Sequence, residues 1–195
     1  MQKMIIVKDT DASDNWNVYH VRTGNDSHLH LNLNLAASGS STYWQDYTPT
    51  SSVFYIGSDS AINASGNEFI AYCFAEKTGF SKFGSYLGNG NSDGTFIYTG
   101  FKPAFLLSKR STSTTMDWHI WDNKRSGSGG TNILDKVIYP NHDLAADTLT
   151  SLDFLSNGFK IRDNRNFLNT SGQTYVYMVF GQSLVGSNNV PATAR

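Results

Sequence analysis

Only two of the 195 residues are glutamate, four are proline and one is cysteine. A single cysteine, Cys73, excludes an intrachain disulfide and a thiolate zinc site within one chain. Its neighbours Tyr72 and Phe74 place it in an apolar strand, so it is expected to be a buried, inert small hydrophobe. Charge is scarce too, at 16% of residues, and it balances: 15 Lys plus Arg against 16 Asp plus Glu. A net charge of -1 supplies no electrostatic footprint for nucleic acid or an anionic membrane. No apolar run approaches the roughly 18 residues of a membrane helix, so no membrane insertion is expected.

What fills the space is polar and small: 23 Ser, 17 Thr, 18 Asn and 17 Gly. Fourteen of the 16 acids are aspartates. Turn and cap formers therefore abound while long polar helix formers are few. With aromatic residues at 13%, this describes short strands joined by polar turns rather than helices or disorder.

The chain also repeats itself. Asn63-Ala64-Ser65-Gly66 precedes the apolar run Phe69 to Ala75, and Asn169-Thr170-Ser171-Gly172 precedes Tyr175 to Gly181, at an offset of 106 without a gap. Met4 to Lys8 matches Phe105 to Lys109, and Trp16 to Tyr19 matches Trp118 to Trp121. Leu33-Asn34 falls opposite Pro140-Asn141, and Phe54 to Ile56 opposite Phe159 to Ile161. Ordered matches at a nearly constant offset read as duplication, with units of about 1–90 and 91–195.

Each unit reads as β. The Asn-x-Ser-Gly element is a turn that launches a strand. In 69–75 and 175–181 both alternating faces are apolar, which predicts central strands covered on both sides. Further strands are expected at 4–8, 53–56, 96–98 and 104–109. Trp16, Val18 and His20 would share one face, and Asn17, Tyr19 and Val21 the other. No window has helical periodicity, and 145–147 would form at most one turn. The glycine-rich stretch 88–94 is either a linker or a long hairpin loop. Turns at sandwich-like spacing, and a central strand that neither half could cover alone, predict one all-β, antiparallel β-sandwich built pseudo-symmetrically from both units.

The chemistry on offer is sparse. No Gly-x-Ser-x-Gly elbow and no paired strand carboxylates are found, so no catalytic residues and no enzyme are expected. Stretch 88–94 runs into a strand, not a helix, which rules out a phosphate loop. Asp9, Asp11 and Asp14 are hard oxygen ligands, but the second unit keeps only Asp117, so a polar hairpin tip is expected and no cofactor. His28 and His30 would share one strand face; they are the weak metal candidates, read first as a solvent-exposed face. Tyr43, Trp44, Asp46 and Tyr47 form an aromatic-polar cluster in a loop. Flat rings stack on sugars while carboxylates bond hydroxyls, so these four are the candidate glycan-binding residues. The opposing reading is that Trp44 folds back as a core lid. Trp16, Trp118 and Trp121 recur between units and are expected in the core.

The segments 4–8, 15–20, 63–76, 79–86, 88–90, 98–105, 122–125 and 155–160 together resemble a domain family of uncharacterised function from tail and fibre proteins of marine bacteriophages. The likeness runs over nearly the whole chain. It implies a sandwich akin to laminin-G and concanavalin A-like jelly rolls, and a virion protein of a tail fibre or similar appendage. The partners implied are other virion proteins, further copies of the chain as a homo-oligomer such as a trimer, and host-surface glycan. The other function class is a decoration or assembly protein without glycan binding. The Gly-Phe-Lys-Pro lead at 100–103 has no counterpart before Met4, so the chain is expected to be part of a longer protein or a short homologue.

Overall fold

A computed structural model describes residues 1–112, 115–125 and 133–182. They contain β1 (Gln2–Asp9), β2 (Asn17–His20), β3 (Ser27–His30), β4 (Ser38–Gly39), α1 (Ser41–Trp44), α2 (Ser60–Asn63), β5 (Phe69–Ala75), β6 (Ser81–Leu87), β7 (Phe96–Tyr98) and β8 (Pro103–Arg110). There follow β9 (Trp118–Asp122), β10 (Ile133–Val137), β11 (Asp147–Leu155), β12 (Gly158–Ile161), α3 (Asn166–Asn169) and β13 (Thr174–Gly181). The three helices are single turns. The fold is an all-β, antiparallel sandwich of three sheets, ordered β4-β3-β2-β1-β5, β6-β13-β8-β9 and β10-β11-β12-β7.

Side-chain alternation decides how the sheets stack. Met4, Ile6 and Val18 of the first sheet meet Leu107, Val176 and Met178 of the second in one buried cluster. The opposite face of the second sheet, with Leu106, Tyr175, Tyr177 and Val179, meets Leu152, Phe154, Phe159 and Ile161 of the third. The second sheet is thus the middle layer. The outer face of the first sheet, with Ile5, Val7 and Tyr19, is closed by Tyr43, Trp44 and Ile62.

The duplication is visible strand by strand. β1 lies between β2 and β5, with Met4 opposite His20 and Phe74. β8 lies between β9 and β13, with Phe105 opposite Asp122 and Phe180. These are the same register in both units. The turns match as well. Gly66 and Gly172 both have positive φ, at 86° and 72°. Asn63 Nδ2 donates to Gly57 O at 2.8 Å, and Asn169 Nδ2 donates to Asp163 O at 2.9 Å, each six residues back. Lys8 and Lys109 reach over the hairpins that follow them and donate to the carbonyls of Ala12 and Met116. Asn32 Oδ1 accepts from Trp16 N–H while its Nδ2 donates to Asn15. Asn141 does the same for Trp118 N–H and Asp117. The structural partner of Asn141 is therefore Asn32, two residues from the expected Asn34.

Several expectations change. β5 is not a covered central strand: it ends its sheet, and Ile70, Ala71, Tyr72 and Cys73 are all exposed. Cys73 is accordingly exposed rather than buried. β13 fulfils the central-strand reading because β6 flanks it. β6 precedes residue 90 yet lies in the sheet of β8, β9 and β13, so strand pairing crosses the repeat boundary. Residues 53–56 form no strand, and 145–147 no helical turn. Stretch 88–94 is neither linker nor hairpin. It carries the chain from the middle sheet to the third, tied down where Asn169 bonds Asn89 and the Asn91 carbonyl.

Candidate functional site

The aromatic-polar cluster begins at α1. Ser40 caps this turn by accepting from Thr42 N–H at 3.3 Å. The turn lies on Gly57, whose N–H donates to Tyr43 O at 2.6 Å. A Cβ at Gly57 would stand 1.9 Å from Thr42 O, so only glycine lets the two segments approach. This contact drives Tyr43 and Trp44 inward. Trp44 is 1% exposed and meets Tyr19 edge-on at 5.9 Å, beside Ile62. Tyr43 stacks on His28 with ring centres 3.7 Å apart.

The next two residues reverse the direction of the chain. Gln45 and Asp46 both take left-handed backbone, with φ of 53° and 55°. That conformation disfavours residues with a Cβ. Asn25 Nδ2 holds it by donating to Asp46 O. Tyr47 emerges from this bend 58% exposed, and its ring centre lies 4.9 Å from that of Tyr55. Of the four predicted residues, Asp46 and Tyr47 therefore stand at the surface, while Tyr43 and Trp44 are packed under it. Buried rings offer no face to a sugar, so the surface site is Tyr47, Tyr55 and Asp46, with Asn25 behind it. Tyr55 and Asn25 were missed by the sequence reading. In the run 53–56 only Phe54 packs inward, while Val53, Tyr55 and Ile56 are exposed, so no periodic signal in the sequence singles out Tyr55.

His28 and His30 do share a strand face, with ring centres 5.0 Å apart, but the face is not solvent-exposed. His28 is buried beneath Tyr43, and the Nδ1 atoms of both rings lack a hydrogen-bond partner. Burial, then the neighbouring His30, push the His28 imidazole down to about 4, with Asp59 pulling the other way. Burial lowers His30 likewise. Among the described residues no three His, Cys, Asp or Glu side chains gather as a metal site.

Asp9 Oδ1 accepts from the N–H groups of Asp11 and Ala12, and its Oδ2 from Asn67 at 2.7 Å. The Asn67 bond is the chief cause of a lowered Asp9 pKa. Asp11 Oδ2 accepts from Glu68 N–H at 2.6 Å. These carboxylates build the hairpin. The matching stretch 111–117 includes residues 113 and 114, which lie outside the described residues.

A groove of about 390 Å³ lies between the β5–β6 corner and the segment after β7, lined by Glu76, Lys82, Tyr98 and Phe101 among others. Lys82 Nζ sits 5.4 Å from the Tyr98 ring centre and donates to Tyr98 O at 3.0 Å. A cation therefore already covers one face of that ring. Among the described residues no cation lies over Tyr47 or Tyr55.

No helix among the described residues is long and apolar enough to cross a membrane. Among known proteins, one family model matches residues 1–183, a domain of unknown function (DUF7483). No curated protein and no solved structure matches the chain.

Proposed function

We propose, for a chain that belongs to the DUF7483 family, a role as a virion module of a phage tail fibre or similar appendage that recognises host-surface glycan. The observation that carries the binding half is the exposed Tyr47–Tyr55 pair, held beside Asp46 by two left-handed residues. Two tilted aromatic faces suit the apolar faces of sugar rings, and a carboxylate beside them suits hydroxyls. Left-handed non-glycine residues recur at binding sites, where surrounding contacts hold them in place. The near-neutral charge of the chain fits an uncharged ligand. The virion half rests on the resemblance of segments such as 63–76 and 98–105 to phage tail domains. The reading is of binding without catalysis, since Asp9, Asp11 and Asp59 are engaged in turn and cap hydrogen bonds.

Burial of Tyr43 and Trp44 favours a second reading, a decoration or assembly protein in which the aromatic loop only closes the core. A glycan array separates the two. Binding lost at least about tenfold in Tyr47→Ala and Tyr55→Ala, at unchanged melting temperature, supports glycan recognition. No signal on any glycan favours the structural role.

A further inference from the structure

β5 and β13 are copies of one strand in two environments. Val176 is 0% and Met178 7% exposed, while their equivalents Ile70 and Tyr72 are 41% and 43% exposed. The two strands differ at their edges. Among the described residues β13 has a neighbour on each side, β8 and β6, whereas β5 has β1 alone. The second unit thus displays what such an edge accepts: an antiparallel strand paired along Thr174 to Phe180, centred on Tyr177. Tyr177 corresponds to Ala71.

The free edge lacks the usual safeguards. Exposed edge strands normally carry a charge, a proline or a bulge that blocks pairing. Residues 69–75 contain no charged residue and no proline, and Glu68 and Glu76 only bracket them. Unpaired backbone groups along such an edge call for an extended chain.

We propose that the occupant is β5 of a second copy, paired antiparallel about a two-fold axis at Ala71. In this register Ala71 faces Ala71 of the second copy, and Ile70 faces Tyr72 twice. A β-branched residue opposite an aromatic is a favourable cross-strand pair. Centring on Tyr72 instead would set Glu68 opposite Glu76 at both ends, and opposed like charges repel. The Ala71 register places Glu68 against Phe74 and Glu76 against Gly66, and it covers the span that β6 covers on β13. It also covers the two large exposed side chains of the strand, Ile70 and Tyr72, and joins the five-stranded sheets of both copies into one of ten. This inference is independent of the glycan site, which lies on the loop 45–55.

Light scattering and sedimentation on the full chain test it. The expected result is a dimer, twice 21.5 kDa. Tyr72→Lys and Ile70→Lys should raise its dissociation constant at least about tenfold. Both side chains are exposed, so circular dichroism should be unchanged. Ala71→Cys with Cys73→Ser should cross-link on oxidation, because directly opposed Cα atoms lie within disulfide reach. The natural Cys73 should not, because it faces Phe69. A monomer across the micromolar range, a trimer, a dimer indifferent to Tyr72→Lys, or cross-linking through Cys73 instead of position 71 would overturn the proposal.

Discussion

The two units close their outer faces by different means. In the second, a whole sheet lies over Leu106, Trp121 and Val179. In the first, the corresponding Ile5 and Tyr19 meet single turns and a loop, and the corresponding Cys73 is exposed. What the duplication preserves is a three-stranded core, two asparagine clamps, a lysine over each hairpin and a helical turn that ends in the Asn-x-Ser-Gly bend. What it leaves free is the segment between the second core strand and that turn. In the first unit this segment contains β3, β4 and the loop with Tyr47; in the second it contains β10, β11 and β12. The hydrophobic requirement is the same for both, since apolar faces must leave water, but many coverings satisfy it.

The largest test of this contrast is a matched pair of truncations. Trp121→Ala should cost about 3–5 kcal/mol, because two rigid sheets cannot close on the cavity. Tyr19→Ala, at the equivalent position, should cost about 2–3 kcal/mol, because the loop that carries Trp44 can settle inward. Urea denaturation measures both; equal losses would mean the loop is as rigid as the sheet.

A second pair probes the repeated asparagine. Asn169 Nδ2 serves Asn89 Oδ1, Asn91 O and Asp163 O, and its Oδ1 accepts from Asn89 N–H. Asn169 is itself fully buried, so Asn169→Ala removes several hydrogen bonds at once and leaves a cavity, and should lower stability by about 2–3 kcal/mol. Among the described residues Asn63 Nδ2 serves only Gly57 O, so Asn63→Ala should lower it by about 1 kcal/mol. If the two variants melt alike, the extra bonds in the second unit contribute nothing.

A third contrast is in pH dependence. His119 lies between Trp121 and Phe167, where burial, opposed by Asp117, pushes its imidazole down to about 4. The folded protein keeps it neutral to about that pH, while the unfolded chain takes up the proton near 6.5. The unfolded state therefore binds more protons between those values. Stability falls as pH drops below 6.5, and the loss levels off below about 4. At pH 5 this one group should account for about 2 kcal/mol. The repeat puts Asn17 at this position, so His119→Asn should shrink the loss between pH 7 and 5 by that amount. An unchanged pH profile would mean that the ring takes up its proton as readily in the folded protein as in the unfolded chain.

Much of the fold was legible because it was written twice. The turns at Gly66 and Gly172 and the strands at 4–8 and 104–109 follow from local pattern, whereas the clamp of Trp118 by Asn141 was found only in the fold. The candidate site was half legible. Tyr43, Trp44, Asp46 and Tyr47 are neighbours in sequence, but Gly57 draws the first two inward and the left-handed pair at 45–46 sends Tyr47 out. Neither effect leaves a periodic signal. The burial of His28 under Tyr43 was invisible for the same reason, since its partner is 15 residues away in a loop.

By itself the sequence determined the strand-and-turn grammar: alternation, glycines at positive φ and asparagines at the turns; the pairing of β1 with β5 and of β8 with β13 came from the fold. Only the tertiary structure decided which copy of a strand is covered. Phe69 to Ala75 and Tyr175 to Gly181 are both apolar on both faces, and pattern alone assigns them one fate. Burial is a property of neighbours, however, and the neighbours of β13 come from β6 and from the sheet formed by 133–161 with β7. Among the described residues no counterpart of these segments lies beside β5.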